Sequence, residues 1–228
     1  MKWQKRSNNA KIEAINNDWL SGLPDDILCK ILSFIPTKDV VATSLLSTRW
    51  KYLYRSVPTI TLNDFLSPQN GESTVNRFIR ITSRVLLLRN VFDLHKFHLI
   101  CNRLRCNLKI NEWIYTTLCH NVRDLNVQLP NLILYQSTAK GDFITKPESL
   151  EPALEGCPPL EELCLRYIDF EKIESLDLSS SSLRIFSVSE CSCMSTIILD
   201  NPNVVHLKLW FVYGKELIVK NLKALAVA

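Results

Sequence analysis

The sequence predicts an α+β chain: a group of three short helices at the N-terminal end, then a short, irregular α/β solenoid built on one recurring strand pattern. Three observations carry this. Between Asp18 and Pro58, apolar residues recur at helical spacing and two prolines, Pro24 and Pro36, punctuate them. From Leu94 onward, apolar-x-x-apolar-x-apolar returns six times. A short apolar strand, set off by a polar turn, precedes each of the last three copies.

The helices come first. Pro24 suits a first helical position, where its missing N–H costs nothing, and Asp25 and Asp26 follow at the positive end of the helix dipole. Ile27, Leu28, Ile31, Leu32, Phe34 and Ile35 then cover more than half the circumference, and Pro36 stops the helix. Thr37 suits the cap of a second helix, with Asp39 in its first turn and Val40, Val41, Ser44 and Leu45 as its face. A third short helix starts near Thr48 and carries Trp50 and Leu53. So small a unit buries its own core only marginally. Two readings stay open at this level: the segment caps a larger domain in cis, or it is a docking module whose surplus apolar surface another protein covers.

The stretch "LPDDILCKILSFIPTKDVVATSLLSTRWKYLY" resembles an F-box, in particular that of the large plant families, through Leu23-Pro24, the Asp-Asp-Ile-Leu run, Pro36-Thr37-Lys38-Asp39 and Ser47 to Trp50. The resemblance implies binding to the Skp-type adaptor of a cullin-based (SCF) ubiquitin ligase. The residues it places against that adaptor are Leu23, Pro24, Ile27, Leu28, Ile31, Leu32, Val40, Val41, Leu45 and Trp50.

The six strand copies are "LHKFHL", "VRDLNV", "LEELCL", "LRIFSV", "VVHLKL" and "LKALAV", starting at Leu94, Val122, Leu160, Leu183, Val204 and Leu222. Leucine-rich repeats continue with Asn or Cys three positions after the last apolar residue. Asn102 and Cys191 complete that pattern and the other four copies do not. The outer strands are "LDLSSSS", "IILDNPN" and "LIVKN". Ser149 and Gly156 suit the ends of a short helix before Leu160. Trp113-Ile114, "LEGCPPLEELCL" and "SLRIFSV" resemble the repeats of plant F-box/LRR and F-box/FBD/LRR proteins, with two departures. Residues 131–149 are short for that pattern, and the chain stops at Ala228 with no FBD-type segment.

The expected organisation is a basic flexible tail over 1–17, an F-box over 18–58, a linker and capping helix over 59–91, and leucine-rich repeats over 92–228 with a truncated or incomplete end. Apolar Leu222, Leu225 and Val227 at that end predict self-association, relieved by lysine at Leu225 or Val227.

Composition sets bounds on function. With 46% hydrophobic and 22% charged residues, the 228-residue chain reads as globular. A net charge of +4 is too modest to point to nucleic acid. No apolar run approaches the ~18 residues of a membrane span. "MKWQKRSNNAK" lacks the apolar core of a secretory signal, so the eight cysteines are expected as free thiols in the cytoplasm, the nucleus or both. Lys2 to Lys11 suits a nuclear signal, although such tails are commonly just solvated ends.

His95, His98, Cys101 and Cys106 invite a zinc reading, but His95 and His98 alternate across a strand and face opposite ways, so no metal or other cofactor is expected. No catalytic residue is expected either. The outward positions of the repeat strands are the candidates for gripping a protein substrate: Lys96, His98, Asn126, Arg166, His206, Lys208 and Trp210. The resulting expectation is a non-catalytic substrate adaptor of an SCF ligase, whose part in ubiquitin transfer is proximity. The alternatives are a scaffold outside any ligase, a truncated product without a working surface, and, less well supported by the scattered basic residues, a small-molecule receptor.

Overall fold

The computed structural model describes residues 19–20, 22–64, 72–89, 94–102, 107–129, 157, 159–168, 176–178, 181–210 and 213–221. The basic tail, Cys106, the short segment 131–149, the Ser149–Gly156 helix and the last strand copy lie outside these residues.

Helix α1 spans Asp25–Leu32 and α2 spans Thr37–Ala42. Pro24 sits one position earlier than the sequence suggests, as the capping residue itself, and Pro36 takes the capping place expected for Thr37, with ψ of 151° and 142°. Their carbonyls open each helix by accepting the N–H of Ile27 and Leu28, and of Asp39 and Val40. Thr37 is therefore freed from capping. α1 also ends three residues early, at Leu32, where the Ser33 hydroxyl donates to the Lys30 carbonyl at 2.6 Å and leaves Phe34 outside the helix, 82% exposed. The third helix is 3₁₀ rather than α, over Trp50–Arg55, after a 3₁₀ turn at Thr43–Leu45.

Next comes β1, Thr59–Asn63, in residues that the sequence reading gave to a linker. It pairs in parallel with β2, Lys96–Ile100. The signal was present: Val57, Ile60 and Leu62 repeat the apolar-x-x-apolar-x-apolar spacing, and they are 1%, 1% and 5% exposed. The sheet continues through β3 (Asp124–Gln128), β4 (Glu162–Arg166), β6 (Ile185–Ser189) and β8 (His206–Trp210), all parallel and in unbroken register. A second parallel sheet joins β5 (Leu176–Leu178), β7 (Ser192–Asp200) and β9 (Tyr213–Lys220), which are the outer strands expected from sequence. Earlier in the chain, helices stand in their place: α3, Glu72–Leu87, between β1 and β2, and α4, Asn107–Leu118, between β2 and β3.

A strand period of two turns one residue in two inward, so Phe97, Leu99, Leu125, Val127, Leu163, Leu165, Phe186 and Val188, each at most 5% exposed, share one core with residues of α3, α4 and the outer strands. Between strands the backbone repeats itself. The carbonyls of Pro58, Arg123, Glu161 and Arg184 each accept two successive N–H groups from the next coil. Cys191 fills its Asn/Cys position as the pattern requires. Its sulfur accepts the Ile168 N–H at 3.4 Å, and burial pushes its thiol up to about 11.

On the open face, Asp124 gathers two polar side chains of the neighbouring strand. His98 Nε2 lies 3.0 Å from both its oxygens and Lys96 Nζ lies 3.0 Å from Oδ2. Partial burial would raise this carboxyl, but the hydrogen bonds from His98 and Lys96 outweigh it and lower its pKa. A lowered carboxylate stabilises the fold above its unfolded value, about 3.9, and that contribution disappears as pH falls through the folded value. Asp124→Ala is expected to cost about 1–3 kcal/mol at neutral pH. The difference from wild type should shrink in acid. Urea unfolding at pH 7 and pH 3 checks both; an equal deficit at the two pH values would assign the loss to packing.

Candidate functional site

Exposed apolar surface is concentrated at one end. Of thirteen large hydrophobic residues exposed among the described ones, eight fall between Trp19 and Tyr52. Ile27 and Ile31 lie on α1, Phe34 and Ile35 follow it, and Leu45 and Leu46, 88% and 69% exposed, sit on the 3₁₀ turn. Beneath them Leu28, Leu32, Val40, Trp50 and Leu53 form a small core of their own with Val57.

This divides the ten residues that the sequence grouped as docking residues. Pro24, Ile27, Ile31 and Leu45 are exposed. Leu28, Leu32, Val40 and Trp50 are at most 6% exposed, so they hold the helices together and cannot meet a partner without unfolding them. Leu23 is half-buried against the same core, and Val41 packs instead on the core of the sheet. Helical spacing marks apolar positions but not which of them a neighbouring helix covers. Phe34, Ile35, Leu46 and Trp19, all exposed, were missing from the docking set.

The helices are held in shape by Arg49, which binds Asp25 Oδ1 through Nε at 3.0 Å and Nη2 at 2.7 Å and also donates to the Leu23 carbonyl. They are fixed to the sheet as well. The freed Thr37 hydroxyl accepts the Thr61 N–H at 2.8 Å, and the Thr59 hydroxyl donates to the Ser33 carbonyl at 3.0 Å. Arg89, after α3, donates to the Val57 carbonyl at 2.9 Å, with its pKa lowered to about 10 by burial.

The second surface is the open face of the sheet. The register aligns three rows across it. Lys96, Asp124, Glu162, Ile185 and His206 make the first; His98, Asn126, Cys164, Ser187 and Lys208 the second; Ile100, Gln128, Arg166, Ser189 and Trp210 the third. All seven sequence candidates therefore share one face, but they differ in what they can offer. Lys96 and His98 are held by Asp124, Asn126 Oδ1 accepts from Gln128 at 3.1 Å, and Arg166 Nε binds the Ser189 hydroxyl at 2.9 Å, covering it. His206, Lys208 and Trp210 are exposed, Trp210 to 56%. Of the cysteine–histidine group, His95 is exposed, His98 is bound to Asp124, and Cys101 is buried with its thiol pushed up by desolvation.

The helical end matches the F-box domain family over residues 20–59. Residues 20–59 are an F-box domain. F-box domains generally bind Skp-type adaptors in SCF complexes, and the exposed apolar face described above belongs to this one. Beyond the F-box, the chain is similar to several proteins of Arabidopsis thaliana. It is 30% identical to an F-box protein over 91% of this chain and 54% of the relative. It is 30% identical to an F-box/LRR-repeat protein over 85% of this chain and 62% of the relative. An F-box/FBD/LRR-repeat protein is 28% identical over 92% and 54%. The chain thus spans about half the length of the curated relatives it matches. No solved structure matches it.

Proposed function

We propose that this chain is a substrate-recognition adaptor of an SCF-type ubiquitin ligase in the cytoplasm, the nucleus or both. The F-box docks on a Skp-type adaptor, and through it on a cullin. The parallel sheet is a leucine-rich-repeat arc whose open face takes a protein substrate. The observation that carries this is the F-box itself: a core small enough to close under Trp50, beneath an apolar face that is exposed among the described residues. Ile27, Ile31, Leu45 and Leu46 are the docking residues in this reading, with Pro24 at the rim. On the sheet, His206, Lys208 and Trp210 form the contact edge, since an exposed aromatic beside a cation is the composition of interface hot spots. The chain performs no bond chemistry in this scheme. It holds substrate near the transfer site, turning a bimolecular encounter into an intramolecular one. The ties from Thr37, Thr59 and Arg89 serve that role, because they fix the sheet's direction relative to the docked adaptor.

Proximity labelling with the chain, with and without a proteasome inhibitor, tests the reading. Adaptor and cullin should be labelled in both conditions, and substrates should be enriched only under inhibition. Labelling of adaptor and cullin with no inhibitor-dependent partner would favour a scaffold.

A further inference from the structure

Between the F-box and α3 lies a cavity of about 340 Å³. Part of its lining is apolar: Val41 from α2, and Ile81 and Val85 from α3. Part is cationic. Lys51 and Arg55 come from the 3₁₀ helix and Arg84 from α3. Among the described residues no carboxylate pairs with any of the three, although ion pairs elsewhere hold Arg49, Lys96, Lys109 and Arg123. Ser44, Tyr52 and Tyr54 complete the lining.

The tyrosines orient the cations without neutralising them. Arg55 Cζ lies 4.7 Å from the centre of the Tyr52 ring and 5.8 Å from that of Tyr54, and Lys51 Nζ lies 5.4 Å from Tyr52. A guanidinium stacked on a ring keeps its in-plane N–H groups available for an oxyanion. Arg55 gives only Nε, at a long 3.5 Å, to the Tyr54 hydroxyl. Three cationic side chains therefore line one space, and among the described residues none of them is ion-paired.

We infer that this cavity binds a small phosphate monoester. Its dianionic head would sit between Lys51, Arg55 and Arg84, and its organic body would rest on Val41, Ile81 and Val85. Three cations exceed what one carboxylate offsets, which favours the dianion, and two arginines supply the forked donors that phosphate oxygens accept. The volume exceeds the needs of a lone phosphate and falls in the range of small-molecule sites. Because the lining comes from both the F-box and α3, the ligand would also fasten the F-box to α3. The inference is independent of the proposed ligase role.

The test is calorimetric titration and thermal unfolding of the full chain with phenyl phosphate, compared with inorganic phosphate and phenol. Phenyl phosphate should bind at one site per chain, raise the melting temperature, and weaken with added salt. Inorganic phosphate should bind more weakly and phenol not measurably. Arg55→Glu and Arg84→Glu should each weaken phenyl phosphate at least tenfold. Arg55→Lys, which keeps the charge and loses the fork, should fall between. Arg123→Glu, a charge reversal at an exposed pair away from the cavity, should leave binding unchanged. Arg84 is exposed, so its variant should fold, and circular dichroism verifies this. No saturable binding, equal binding of phenol, or equal weakening by Arg123→Glu would overturn the assignment.

Discussion

Trp113→Ala is expected to remove about 3–5 kcal/mol of stability, a large share of the ~5–15 kcal/mol of an ordinary domain. Trp113 lies on α4 and is 1% exposed. Its ring meets Phe78 of α3 edge-on, with centroids 6.1 Å apart at 76°, and its Nε1 donates to the Ser83 hydroxyl at 2.9 Å. It therefore joins the two helices that cover the first strands. The surrounding Ile110, Ile114 and Leu118 belong to the same packed core and relax only partly into the hole. Trp113→Phe keeps most of the ring packing and loses the hydrogen bond, and should cost about 1 kcal/mol. Urea unfolding followed by circular dichroism measures both. A loss below ~1 kcal/mol for the alanine variant would mean that α3 and α4 do not share a core.

Much of the architecture could be read from sequence because its period is short and its signals are apolar. Phe97, Leu125, Leu163 and Phe186 sit in equivalent registered positions, as the recurring spacing predicts, and the outer strands β5, β7 and β9 fall where polar turns placed them. What escaped was context. The segment of β1 carries the repeat spacing at Val57, Ile60 and Leu62, but it follows the F-box directly and its first apolar position, Val57, lies in the F-box core, which hid it in an apparent linker. Thr37 has the composition of a cap, yet a preceding proline already opens the helix and the hydroxyl serves Thr61 of β1 instead, a long-range partner that no local pattern reveals. The docking residues show the same limit. Leu28 and Ile31 are both apolar on one short helix, and only the position of Trp50 and Leu53 decides that the first is buried and the second bare. Pairing of Lys96 and His98 with Asp124 likewise depends on strand register.

Ile31→Glu with Leu45→Glu is the variant with the largest expected effect on function. Ile31 is 42% exposed and Leu45 is 88% exposed. Exposed substitutions of this kind change stability by only about ±0.5 kcal/mol. In the docked state each would place a charge in a desolvated apolar contact. A hot-spot loss of about 2 kcal/mol apiece corresponds to roughly 30-fold each, so the pair should weaken adaptor binding a hundredfold or more. Leu28→Ala separates the two ways of losing binding. It empties the F-box core, so it should lower stability by about 2–5 kcal/mol and lose binding only through unfolding.

The most direct measurement is calorimetric titration of a purified Skp-type adaptor into the full chain, wild type and double variant side by side, with circular dichroism of each. The docking account predicts a one-to-one complex for wild type, at least hundredfold weaker binding for Ile31→Glu/Leu45→Glu, and superimposable spectra. A folded wild-type chain that does not bind the adaptor, or a double variant that binds it undiminished, would contradict it.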